Sequence, residues 1–145
     1  MNSVMKLIFG TMNVGPQVNQ ENSMKMIQQF LTCGNNELDA AFVYNNGDTE
    51  KILGTVLKQL PSNNISIATK IHPRITGKLD SEAVNYQFDE SLKRLNTDKV
   101  DILYFHFPDA NTPVDDALLA INKLYETGKI KEFGLSNFPA WMVVD

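Results

Sequence analysis

Val100-Asp101-Ile102-Leu103-Tyr104-Phe105-His106 is a run of β-branched, aliphatic and aromatic residues that ends in a histidine. That composition is the signature of a strand. Upstream, Ile65-Ser66-Ile67-Ala68-Thr69-Lys70-Ile71 reads the same way and carries a lysine near its end. Val4–Met12, Glu37–Tyr44 and Ile130–Phe138 complete a set of five apolar runs. The runs at 65–71 and 100–107 read as largely apolar on both faces, which suits a parallel sheet covered on each side.

Amphipathic stretches separate the runs. From Asn22 to Cys33, Met24, Ile27, Phe30 and Leu31 recur at helical spacing. From Asp48, the residues Ile52, Leu53, Val56, Leu57 and Leu60 form one stripe, and a third helix begins at Asp80 or Ser81 with Val84, Phe88, Leu92 and Leu95. The fourth is predicted to start with Thr112 as cap and Pro113 in the first helical position. Its stripe is Leu118, Ile121, Leu124 and Tyr125, and Gly128 ends it in the left-handed conformation. Pro139–Asp145 begins a fifth helix.

Strand–helix alternation at about 30–36 residues per unit implies parallel strands joined by right-handed crossovers. A doubly wound open sheet would usually place a G-x-G-x-x-G loop after its first strand. That turn reads Gly10-Thr11-Met12-Asn13-Val14-Gly15, and the motif occurs nowhere in the chain. The regular repeat therefore points to an α/β fold of the (β/α)8 barrel type. A whole barrel takes about 250 residues, so residues 1–145 hold one partial barrel domain: four βα units and a fifth strand.

Composition narrows the function. Apolar residues make up 43% and charged residues 21%, a globular balance. A net charge of −4 without a basic stripe argues against nucleic acid, whose binding rests on phosphate neutralisation. Cys33 is the one cysteine, so no intramolecular disulfide forms. No apolar run approaches a membrane span, and residues 1–10 do not read as a signal peptide. The expectation is a soluble cytoplasmic protein. No Cys/His spacing suggests a metal.

In barrels, chemistry collects at the C-terminal ends of the strands. The ionisable residues ending the runs are Asp39 with Tyr44 shortly after, Lys70 and His106, and Ser136 and Asn137 end the last. Asp39, Lys70, His106 and Ser136 are spaced by 31, 36 and 30 residues, one βα unit each, so their side chains can converge. The set has a chemical logic. A lysine ammonium beside a tyrosine favours the phenolate and lowers the tyrosine pKa. A carboxylate beside the lysine holds the ammonium in place. A histidine facing the same point orients a carbonyl oxygen. Together they protonate a carbonyl while a cofactor supplies hydride.

These residues sit in stretches that resemble the aldo-keto reductases. Glu37-Leu38-Asp39-Ala40-Ala41-Phe42-Val43-Tyr44 with Glu50 and Leu53-Gly54 is similar to the family's D-T-A-x-x-Y-x-x-E signature. Ala68-Thr69-Lys70, Ser91–Leu95 with Val100–Asp109, and Gly134-Leu135-Ser136-Asn137-Phe138 match its lysine, histidine and G-x-S-N-[FY] segments. The extra residues before Glu50 and the position of Trp141 resemble the aflatoxin-aldehyde reductase branch. Ala40 departs from the family's usual threonine. The resemblance implies reduction of small aldehydes or ketones with NADPH. It implies Tyr44 as general acid, Lys70 lowering its pKa, Asp39 paired with Lys70 and close to the cofactor, and His106 binding the substrate carbonyl. It also implies Ser136 and Asn137 on the nicotinamide carboxamide. The family's nicotinamide-stacking aromatic and its 2′-phosphate-binding basic residues belong to strands beyond the fifth. Substrate identity is not set by the residues present.

Other residues receive quieter expectations. His72 falls on the loop after its strand, Asp101 is structural, Asp109 and Glu50 shape loops, and Cys33 is a small buried hydrophobe. Phe9, Met12, Tyr44, Phe107 and Trp141 suggest an apolar pocket. Two competing functions remain: a non-catalytic fragment or regulatory subunit of this fold, and Schiff-base chemistry through Lys70. A half barrel has two open edges, so the chain is expected to be a fragment of a longer product or to pair as a homodimer.

Overall fold

The computed structural model describes residues 5–61 and 64–144. Its strands are β1 (Ile8–Gly10), β2 (Glu37–Asp39), β3 (Ser66–Ile71), β4 (Ile102–Phe105) and β5 (Glu132–Leu135). They form one parallel sheet in the order β1-β2-β3-β4-β5. A doubly wound sheet reverses its strand order at a switch point; strictly sequential order is that of a barrel wall. The helices are α1 (Gln20–Thr32), α2 (Asp48–Leu57), α3 (Ser81–Leu95), α4 (Val114–Glu126) and the short α5 (Ala140–Val144). From α1 to α4, each packs against the next on one face of the sheet. No helix among the described residues is long and apolar enough to cross a membrane. The start of the first predicted run, Val4, and the end of the last helix, Asp145, lie outside the described residues.

The core lies between sheet and helices. Leu38, Ile71, Leu103 and Phe105 from the strands meet Ile27, Leu53, Val56, Val84, Phe88, Leu95 and Ile121 from the helices. Burying each such side chain contributes roughly 1.5–3 kcal/mol. The predicted stripes of α1, α2 and α3 supply this layer. On α4 Ile121 and Leu124 do so beside Ala117 and Ala120, whereas Leu118 and Tyr125, expected on the stripe, are exposed.

The opposite face of the sheet corrects the expectation of two apolar faces. Side chains alternate along a strand, and the register puts Asp39, Ala68, Ile102 and Glu132 in one row and Lys70 with Tyr104 in the next. Buried Glu37, also on this face, pairs with Lys6. The inner wall is thus largely polar, and the strand runs looked apolar because their helix-facing residues dominate the pattern.

Local signals were partly different from those predicted. Asn19 caps α1, its Oδ1 accepting from the Asn22 N–H at 2.9 Å, and Asp80 caps α3 through the Ala83 N–H. Thr112 does not cap α4. Its hydroxyl donates to Asp109 Oδ2 at 2.5 Å, Pro113 stands at the cap in an extended conformation, and the helix begins at Val114. Gly128 adopts φ +70° after α4, with the Lys129 N–H on the Leu124 carbonyl and the Gly128 N–H on that of Tyr125. This is the double bond of a left-handed helix stop. Cys33, expected buried, is exposed at the end of α1.

One glycine sets the spacing of α2 against α3. A Cβ on Gly54 would lie 2.4 Å from the Arg94 carbonyl oxygen and 2.8 Å from the Leu95 carbonyl carbon. Both obstacles are backbone, so neither can swing aside. Gly54→Ala is expected to lower stability by about 2–3 kcal/mol, the upper range for overpacking. A urea midpoint shift at unchanged slope is the measurement.

Candidate active site

The C-terminal ends of β2, β3 and β4 bring Asp39, Lys70 and His106 to one end of the sheet, as the spacing predicted. Lys70 is 7% exposed. Its Nζ donates to Asp39 Oδ1 and Oδ2 at 2.7 Å each and to the Ala40 carbonyl at 2.7 Å. The Tyr44 hydroxyl lies 3.4 Å from the same nitrogen. Three oxygens thus fix a nearly buried ammonium, which a strand-end lysine could not tolerate alone.

Tyr44 comes from the turn after β2. Its ring meets the His106 ring edge-on at 5.8 Å between centroids, and Lys70 Nζ sits 5.0 Å from the centre of the Tyr44 ring. Four residues from three strand ends and one turn therefore enclose a single point.

Burial pushes the His106 pKa down to about 4, helped by the positive charges of Lys70, His72 and Arg74. The ring is neutral at pH 7. Its Nδ1 is buried and has no hydrogen-bond partner among the described residues. An orphaned buried nitrogen costs free energy and marks a site built for something else than stability.

His72 is the first residue after β3, on the loop as the sequence pattern placed it, and its extended backbone carries its ring to the site. Ile71 is paired with Phe105, and the His106 N–H continues the ladder onto the Ile71 carbonyl at 2.8 Å. The next step sets His72 abreast of His106, with rings 5.1 Å apart. Phe107 closes the group at 5.0 Å from His72. The buried Gln87 side chain clamps the His72 backbone on both its N–H and its carbonyl. His72 Nδ1 accepts from the Arg74 N–H at 3.2 Å, which places the ring proton on Nε2. The available signal was its spacing: two residues beyond Lys70, on the same face of the strand.

At the end of β5, the Asn137 side-chain amide donates to the His106 carbonyl at 2.8 Å and to Ser136 Oγ at 3.0 Å. Asn137 takes φ +61°, a conformation asparagine tolerates better than most residues. Both amide hydrogens are used, which leaves Asn137 Oδ1 as an acceptor and the Ser136 hydroxyl as a donor. One donor beside one acceptor complements a primary carboxamide.

The remaining residues sort cleanly. Asp101 is structural: it accepts from the Ile67 N–H at 2.9 Å and pairs with Lys131 at 2.5 Å. Asp109 organises its loop, accepting from Leu79, Asn111 and Thr112. Phe9 points to the helices and packs on Phe30, so it is not part of an apolar pocket, and Trp141 is 66% exposed. Glu50 does more than shape a loop. It is fully buried and bonds Thr69 and Arg94, a network the sequence reading missed because its members lie on three separate elements.

The two histidines predict a pH dependence. Burial lowers the His72 pKa as well, with Arg74 adding to the effect. Both groups bind protons less readily folded than unfolded, so the unfolded chain takes up more protons below pH ~6.5. Stability is therefore fully present above that pH and is lost as pH falls towards the folded value of about 4 for His106. Urea midpoints should drop between pH 7 and pH 5, and the drop should shrink in a His106→Asn variant.

Fold and site together define a protein of the (β/α)8-barrel class with an ion-paired lysine, a tyrosine and a neutral histidine at the C-terminal end of its strands. The chain belongs to the aldo/keto reductase family, whose sequence model matches residues 6–145. It is 38% identical over 140 residues to human aflatoxin B1 aldehyde reductase member 4, covering 95% of this chain and 42% of the relative. It is 39% identical to the member 2 enzyme of mouse, covering 95% and 38%. Among solved structures it superposes on the holo form of an aldo-keto reductase from Bacillus halodurans with TM-score 0.84 at 28% identity, covering 96% of this chain and 48% of that one. The glycerol dehydrogenase of Gluconobacter oxydans matches at TM-score 0.80 and 28% identity, covering 94% and 46%. The chain thus spans about two-fifths of the length of these curated relatives and their N-terminal half in alignment. The family reduces aldehydes and ketones.

Proposed function

We propose that this chain carries the proton-transfer half of an NADPH-dependent carbonyl reductase site. Tyr44 donates its hydroxyl proton to the oxygen of an aldehyde or ketone. Lys70, 3.4 Å from that hydroxyl, stabilises the phenolate left behind. Asp39 and the Ala40 carbonyl hold the Lys70 ammonium in place. Neutral His106 donates a hydrogen bond to the carbonyl oxygen and sets its angle. NADPH, when bound, supplies the hydride that completes the reduction. Ser136 and Asn137 would hold its carboxamide, for which their free hydroxyl and free Oδ1 are suited. The single observation that carries this reading is the Lys70 ammonium, shared between Asp39 and the Tyr44 hydroxyl beside a neutral imidazole.

The test is a fluorescence titration with NADPH and, separately, with NADH. It runs beside a turnover assay on a generic aldehyde, with the chain alone and with the C-terminal half of a relative added. Saturable binding with turnover in either arm supports the reading, and the tighter nucleotide names the cofactor. Absence of binding and turnover in both arms would overturn it.

A further inference from the structure

We propose that Arg94 is a positioning residue for Tyr44, acting through the Phe42 carbonyl and the buried carboxylate of Glu50. The inference rests on the reading of Tyr44 as proton donor and Lys70 as its partner.

Tyr44 opens a turn that does not hold itself. Asn45 and Asn46 adopt φ 48° and 56°, and Gly47 adopts φ 92°. Consecutive left-handed residues cost free energy and persist only where their surroundings enforce them. On one side the Asn45 side-chain amide reaches the Met12 and Val14 carbonyls at 2.8 Å each and Thr49 Oγ1 at 3.0 Å. On the other side stands Arg94, from the last turn of α3. Its Nη1 donates to the Phe42 carbonyl at 3.1 Å and to Glu50 Oε2 at 3.2 Å. Its guanidinium carbon lies 4.0 Å from the centre of the Phe42 ring. Glu50 Oε1 accepts from the Thr69 hydroxyl at 2.7 Å.

The chain of bonds Thr69–Glu50–Arg94–Phe42 has its two ends beside the reacting pair. Thr69 adjoins Lys70 on β3, and Phe42 is two residues from Tyr44. The network therefore fixes how far the turn bearing the hydroxyl stands from the strand bearing the ammonium. Gly47 leaves room for it: a Cβ there would fall 2.6 Å from the Arg94 guanidinium carbon. Arginine suits the role because its Nη1 carries two N–H donors, for the carbonyl and the carboxylate, while the guanidinium plane lies against the Phe42 ring.

The experiment uses chain labelled with 13C at tyrosine Cζ, with the Tyr44 resonance assigned by Tyr44→Phe. Lys70→Met supplies the position of a Tyr44 signal without its ammonium. Arg94→Gln is expected to move the Tyr44 resonance towards that reference. It is also expected to cut kcat about a hundredfold with KM little changed, as misplacement by ~1 Å can do. Arg94→Lys, which keeps the charge and N–H donors but not the planar group stacked on Phe42, is expected to recover only part of both. Thr69→Val leaves Arg94 in place and should give a smaller shift in the same direction, which keeps the test usable if Arg94→Gln fails to fold. A folded Arg94→Gln chain whose melting temperature falls while the Tyr44 resonance and kcat stay at the wild-type values overturns the inference, leaving Arg94 as a structural ion pair. The resonance needs no turnover, so retained activity in Tyr44→Phe would sink the proton-donor reading without deciding the role of Arg94.

Discussion

Tyr44→Phe is expected to lower carbonyl reduction by about 10²–10⁴-fold, the usual contribution of a placed general acid. The substitution removes one oxygen and little else. The phenyl ring keeps its edge-on contact with His106 and its place beside the Lys70 ammonium. Lys70 stays bound to Asp39 and Ala40, so no buried charge is stranded. Fold and nucleotide affinity should therefore be unchanged, and the loss should fall on kcat. Lys70→Met should cost a similar factor in rate but also stability, because it leaves the Asp39 carboxylate without its partner. Since the two residues act as one unit, the double variant should be little slower than either single one. Steady-state rates for the three variants are the measurement. A Tyr44→Phe protein within tenfold of wild type would exclude Tyr44 as the proton donor.

The largest expected loss of stability comes from Glu50→Ala, at about 3–5 kcal/mol, the range for removing one partner of a buried ion pair. Glu50 is fully buried, while the Arg94 side chain is 18% exposed. Removing the carboxylate leaves the guanidinium with the Phe42 carbonyl and ring as its only described partners, and leaves the Thr69 hydroxyl buried without an acceptor. A domain has roughly 5–15 kcal/mol to lose, so this one change could unfold it. Glu50→Gln retains an acceptor and a similar shape and should cost clearly less. Replacing Glu50 and Arg94 together by leucine and methionine should recover part of the loss, because no charge then remains to be compensated, although the Thr69 hydroxyl still lacks its acceptor. Urea unfolding of the single and double variants gives the comparison. A Glu50→Ala loss below ~1 kcal/mol would show that the pair contributes little beyond filling space.

Much of this molecule is legible in its sequence. Strand and helix alternation followed from two local periods, and the stripes of α1, α2 and α3 lie in the core as their spacing implied, while α4 turns Leu118 and Tyr125 to solvent and buries Ala117 and Ala120 instead. Asp39, Tyr44, Lys70 and His106 converge because residues one βα unit apart must arrive at the same end of neighbouring parallel strands. The sequence could carry this much because periodicity and unit length are properties of contiguous residues.

Other features depended on how strands align and how elements pack. His72 lies beside the site because it leaves β3 in an extended conformation and the strand register sets it next to His106. Phe9 turned to the helices, Cys33 to the surface, and Thr112 to Asp109 instead of the α4 backbone. The Thr69–Glu50–Arg94–Phe42 network joins residues from a strand, two helices and a turn. What the sequence by itself determined was the order of the elements and which end of the sheet holds the polar cluster. What only the tertiary structure decided was the register of the strands and the partners of each buried polar group, because hydrogen bonds between distant segments form only where packing has already placed both ends.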